Sequence, residues 1–148
     1  MENMTVKGPV VLGVMGTAFS AAAAFFGGWD TALQTLILLM LADYMTGLIV
    51  AGVFKRSTKT ETGALESRAG LKGLSRKGTA LLVILIACRL DMLAGTHLVR
   101  DTAVMAYCIN EMLSIVENAG LMGVPIPAAV TKAIDILKKK TEKENGGE

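Results

Sequence analysis

The chain has 148 residues, 52% of them hydrophobic, with few aromatics and a formal net charge of only +2. A soluble domain of this length could build one core, but its apolar residues would alternate with polar ones at helical spacing, and those of the first 54 positions do not. The cations are clustered, seven between Lys55 and Lys77 and five between Lys132 and Lys143; the positive-inside rule explains them more simply than nucleic-acid binding, which is not expected.

Residues 8–54 hold only two charged side chains, Asp30 and Asp43. About 20 mostly apolar residues cross the hydrocarbon core of a bilayer, so this stretch predicts two helices, about 9–29 and 31–54. Gly27-Gly28-Trp29-Asp30 makes the turn between them at an interface. Only Lys7 precedes the first segment, and Ala22-Ala23-Ala24 offers small residues near a cleavage site. An uncleaved membrane helix is the reading preferred over a signal peptide. In that segment Gly16, Ser20, Ala24 and Gly28 recur every four residues. Small residues at this spacing let helix backbones approach closely, although an Ala- and Gly-rich segment can show it by chance. The second segment has eleven Leu, Ile, Val and Phe residues. Together they favour insertion by about 5 kcal/mol, more than one Asp costs. Asp43, Gly47 and Ala51 share one face, with Thr46 beside them. An acid at this depth lines a pathway or assembly face, or meets a structural partner such as Arg89.

A basic loop is expected over 55–77, with Lys55, Arg56, Lys72, Arg76 and Lys77 at the membrane surface. The third hydrophobic helix, about 78–95, is short. Its apolar stretch Gly78 to Asp91 gives about 21 Å of helix, so Arg76, Lys77 and Arg89 would have to snorkel. A polar turn leads to the fourth, about 102–123, in which Glu111 and Glu117 each cost about 2.5–3.5 kcal/mol on insertion. These two form a marginal hairpin that inserts with partners. Asn110, Glu111, Ser114, Glu117, Asn118 and Tyr107 fall within an arc of about 120° on the fourth helix. Met105, Met112 and Val116 lie opposite. A polar stripe cannot face lipid, so it faces helices, subunits or water; a surface helix of a soluble domain would give the same wheel. After Pro125-Ile126-Pro127, an amphipathic helix is expected over 127–140. Ile126, Val130, Ile134 and Leu137 form its apolar face, and Lys138, Lys139 and Lys140 suit an anionic membrane surface. The tail 141–148 is expected to be disordered.

The expected fold is therefore an all-α integral membrane protein, a single membrane domain with about four hydrophobic helices and a C-terminal amphipathic helix. Seven cations against two anions in 55–77 put that loop in the cytoplasm. Both termini follow it there, and four crossings fit better than three. Cys88 and Cys108 read as two small buried apolar residues. With one His there is no metal cluster, no catalytic constellation is visible, and neither a cofactor nor an enzyme is expected.

Several stretches together resemble the phage-lysis and toxin-secretion holin family, which includes holin-like exporters of large clostridial toxins. They are Asp43-Tyr44-Met45-Thr46-Gly47, then Gly70-Leu71-Lys72-Gly73-Leu74-Ser75-Arg76-Lys77. Asn110-Glu111-Met112-Leu113-Ser114-Ile115-Val116-Glu117-Asn118 and Gly123-Val124-Pro125-Ile126-Pro127 complete the set. The similarity covers about residues 40–138. It implies a small phage-encoded protein that accumulates in the host cytoplasmic membrane and assembles with copies of itself into a lesion. The lesion frees an endolysin, a functional partner without direct contact, or exports a toxin; an antiholin is a further candidate partner. Asp43, Glu111 and Glu117 are then expected to govern the transition. Two other classes stay open: a small ion or solute transporter using Asp43 and Glu111, and a membrane scaffold that docks a partner through the basic loop.

Overall fold

The computed structural model describes residues 7–145, which form five α-helices and, among the described residues, no strand. Helix α1 spans Lys7–Phe25 and α2 spans Thr31–Ile49, extended by a π-helical turn Val50–Phe54. Helix α3 is Ser67–Ala94, α4 is Leu98–Leu121 and α5 is Ala128–Asn145. Two helices are long and apolar enough to cross a membrane, over Gly8–Phe25 and Thr31–Phe54. Among the described residues these two, and not four, meet that criterion.

Three boundaries differ from expectation. The basic loop is only 55–66, because α3 starts eleven residues before Gly78. Gly70, Gly73 and Gly78 lower helix propensity there, yet tertiary packing keeps the helix. Gly70 faces α2: a Cβ there would lie 3.7 Å from the Tyr44 hydroxyl, an ordinary contact. With 28 residues, or about 42 Å at 1.5 Å per residue, α3 is not short. Gly28 lies outside α1, in the turn, at φ +109°. Helix α5 continues through Asn145, correcting the disordered tail over 141–145; residues 146–148 lie outside the described residues.

Helix α4 is the centre of the bundle, packed on α2, α3 and α5. Leu36 and Met40 of α2, Ala80 and Ile84 of α3, and Val104 and Cys108 of α4 make the core. Cys88 is buried as well. The apolar side of α4 receives α5: Met112, Ile115 and Val116 face Val130, Ala133, Ile134 and Leu137 across a groove. Ile134 is buried there, so part of the amphipathic face is used inside the protein. Helix α1 is almost free of the bundle. Leu12 is 71% exposed and only Ala23 of this helix is buried. Its lower end is held by aromatic contacts, Phe19 edge-on to Trp29 and the Arg89 guanidinium 5.1 Å from the Phe25 ring.

Two turns set the ends. Asp30 caps α2 by accepting from the Leu33 amide at 2.9 Å. In the loop 55–66, Lys55 adopts the left-handed region and the Ser57 amide donates to the Gly63 carbonyl at 3.0 Å. Gly63, at φ +71°, is required, since a Cβ would run into the Lys55 carbonyl.

A buried charge cluster between three helices as the candidate functional site

Part of the polar stripe of α4 turns inward, through Glu111 and Asn118, while Asn110 and Glu117 are exposed. Asp43 is 6% exposed in the middle of α2. The Lys77 ammonium donates to Asp43 Oδ2 at 2.8 Å and also to Glu111 Oε2. Asn118 Nδ2 donates to Asp43 Oδ1 at 3.1 Å and to Thr46 Oγ1 at 3.0 Å. The Thr46 hydroxyl in turn donates back into α2, with the Ala42 carbonyl at 2.9 Å and the Asp43 carbonyl at 3.0 Å as its acceptors. One lysine from α3 thus joins one acid from α2 to another from α4. Gly47 packs beside the amide: a Cβ there would lie 3.8 Å from Asn118 Nδ2, an ordinary contact.

Lys77 is the residue sequence reasoning misplaced. It was expected at the membrane surface; it lies 13% exposed between two carboxylates because α3 carries it down to the level of Asp43. Arg89, the partner considered for Asp43, is exposed and points to Phe25 and Met92 instead. Tyr107, Asn110 and Ser114 line the cleft that opens from the cluster. Glu117 is exposed and outside the cluster. Gly16, Ser20 and Ala24 are exposed, with Gly28 half-buried, so the small-residue face has no partner within the described chain. Lys55, Arg56, Lys72, Arg76, Lys139 and Lys140 are exposed; the Lys138 side chain lies outside the described residues.

A second polar network closes the opposite pole, and sequence reasoning missed it. Asp91, near the end of α3, accepts from the backbone amides of Arg100 at 2.7 Å and Val99 at 3.2 Å, capping α4 from the neighbouring helix. Arg100 Nε donates to the Phe26 carbonyl at 2.7 Å, and its Nη1 meets Asp30 at 2.7 Å and Asp101 at 3.0 Å. The Arg100 hydrogen bond holds the Asp30 carboxyl below its ordinary value. Gly27, at φ +84°, brings the turn within reach: a Cβ there would meet Cys88 Sγ at 3.2 Å and Arg100 Nε at 3.3 Å. The available signal was two opposite charges, Asp91 and Arg100, flanking the Gly95-Thr96-His97 turn.

Chemically, the central cluster is a polar interface closed on itself. Two carboxylates share one ammonium, with the loop residue Lys59 adding a more distant positive field at Asp43. A buried ion pair contributes little net stability, because desolvation offsets most of its attraction.

Residues 20–139 match the bacteriophage holin family. A probable holin of Bacillus phage phi105 is 33% identical over 129 residues, 84% of this chain and 90% of its own. An uncharacterized protein of Halalkalibacterium halodurans is 39% identical over 126 residues, 80% of this chain and 87% of its own. An uncharacterized 14.9 kDa protein of Clostridium perfringens, from the nagH 3' region, is 38% identical over 144 residues, 95% and 99% of the two chains. No solved structure is significantly similar. With four fifths of its length inside the family match and a phage holin among its relatives, the chain belongs to the bacteriophage holin family.

Proposed function

We propose that the chain is a working holin: it accumulates in the cytoplasmic membrane of a bacterial host, self-associates and opens a lesion that releases an endolysin. The observation that carries this reading is the family match over residues 20–139. The physical support is a monomer in which Asp43, Lys77, Glu111 and Asn118 are paired with one another, so that these four need not face lipid. Assembly would exchange these pairings for water or for neighbouring subunits. The fold is multi-pass, with α1 and α2 as the dependable crossings and α3 and α4 crossing as a pair whose Glu111 is neutralised by Lys77. Loop 55–66 and both termini are cytoplasmic whether the crossings number two or four, since either number is even. Export of a toxin through the same lesion is the related use. The transporter reading is weaker, because Lys77 already occupies the position a cation would take between Asp43 and Glu111.

Timed co-expression with an endolysin that lacks its own export route tests the proposal. Lysis, with release of a folded cytoplasmic enzyme, is expected after a delay. Leakage of small ions alone, with cytoplasmic proteins retained, would overturn it.

A further inference from the structure

An open cleft of about 640 Å³ lies above the charge cluster, between loop 55–66, α3 and α4. Its α3 wall is Ala69, Lys72, Gly73, Arg76, Lys77 and Ala80, a regular three-and-four stripe that turns one helix face to the cleft. Thr58 and Lys59 of the loop stand opposite. Lys77 is committed to Asp43 and Glu111. Among the described residues, Lys59, Lys72 and Arg76 form no ion pair with a carboxylate. Three cations without an ion-pair partner thus line a trough whose floor, the Asp43–Lys77–Glu111 cluster, carries only one net negative charge, which leaves the cleft cationic; Gly73 adds no side chain to it, and a Cβ there would meet nothing within 4 Å. The loop follows directly on Phe54, the end of the second membrane span, so the mouth of the cleft lies at headgroup depth. Basic pockets between membrane helices on the cytoplasmic side are suited to anionic lipid headgroups.

We infer that this cleft is a discrete binding site for the phosphodiester headgroup of an anionic phospholipid, held by Lys59, Lys72 and Arg76, with the Thr58 hydroxyl as an additional donor. The inference rests on the membrane placement given above, and not on lesion formation. The site differs from general attraction to a charged surface in having a shape. Filling the trough without changing any charge should abolish it.

Native mass spectrometry of the full chain, released from detergent micelles titrated with phosphatidylglycerol or phosphatidylcholine, reads the site directly. The unaltered chain should retain phosphatidylglycerol in preference to phosphatidylcholine. Lys59→Gln, Lys72→Gln and Arg76→Gln together should weaken retention about a hundredfold, and Arg76→Gln alone about fivefold. Gly73→Leu should remove the lipid at unchanged charge, whereas Lys139→Gln with Lys140→Gln, on exposed α5, should leave it bound. Circular dichroism checks that each variant stays helical, and Arg76→Gln, at the exposed mouth, decides the matter if a bulkier change misfolds. The site is overturned if Gly73→Leu binds as the unaltered chain does, or if phosphatidylcholine or soluble glycerophosphate is held equally well. A chain that lyses cells yet retains no lipid overturns the site and leaves the holin reading standing; retained lipid without lysis does the reverse.

Discussion

Replacing Lys77 by Met removes the only ammonium shared by Asp43 and Glu111 while keeping most of the side-chain volume. The two carboxylates are 8% and 13% exposed, so water reaches them only from the cleft and replaces the lysine incompletely. Removing one partner of a buried ion pair costs about 3–5 kcal/mol, because a charge is left uncompensated. Here two carboxylates are left, so the upper end of that range is expected. Denaturation of the purified chain in mild detergent, followed by helix signal, measures the loss. The mechanism can be separated from simple disruption by adding Asp43→Asn and Glu111→Gln to Lys77→Met. That triple variant has no buried charge left, and should recover most of the stability. A Lys77→Met chain within about 1 kcal/mol of the unaltered one, or a triple variant no better than the single, would refute the reasoning. In lysis assays, Lys77→Met should shorten the delay, since the closed monomer is the form being weakened.

Other consequences follow from the same geometry. Glu111→Gln keeps Asp43 and Lys77 as a one-to-one pair, so it should change the onset of lysis while leaving membrane insertion intact; unchanged timing argues against a role for the α4 stripe. The Asp30 carboxyl is held low by the Arg100 hydrogen bond, so the stabilisation it gives is present at neutral pH, above the unfolded value of 3.8. It should be lost only as pH falls through the lower folded value, and Asp30→Asn should remove that part of the acid sensitivity in a denaturation series. Cysteines placed at Ser57 and Lys139 should both label from the cytoplasmic side; opposite labelling would rule out an even number of crossings. Gly63→Ala should distort loop 55–66, seen as faster proteolysis there, because its positive φ and the Lys55 carbonyl leave no room for a methyl.

The α1 and α2 helices were legible because residues 9–29 carry no charge and 31–54 only Asp43, with Asp30 in the turn between them. That Glu111, Ser114 and Asn118 share one side of α4 was legible from helical spacing, although Asn110 and Glu117 of the same stripe are exposed. What the stripe faces was not. Three glycines between Gly70 and Gly78 made α3 look short, and that moved Lys77 from the protein interior to the surface. Glycine lowers local propensity, but α3 is held by its packing against α4 and α2, a property that no one segment displays alone. Asp91 and Arg100 escaped notice for a similar reason. Each looks like an ordinary surface charge until the turn folds the end of α3 against the start of α4 and the α1–α2 turn arrives at Gly27.

The central claim is that the α2–α3–α4 cluster is closed in the resting monomer and opens in the lesion. Native Cys108 reports on it without a new residue at the site, being buried in the core one turn from Glu111. With Cys88→Ala in place, reaction of Cys108 with a water-soluble maleimide can be followed before and after lysis begins, against a Lys139→Cys control. Cys108 should be unreactive while the cells are intact and should react once endolysin escapes. If endolysin escapes and Cys108 stays protected, the cluster remains closed and the lesion is built from another surface of the protein.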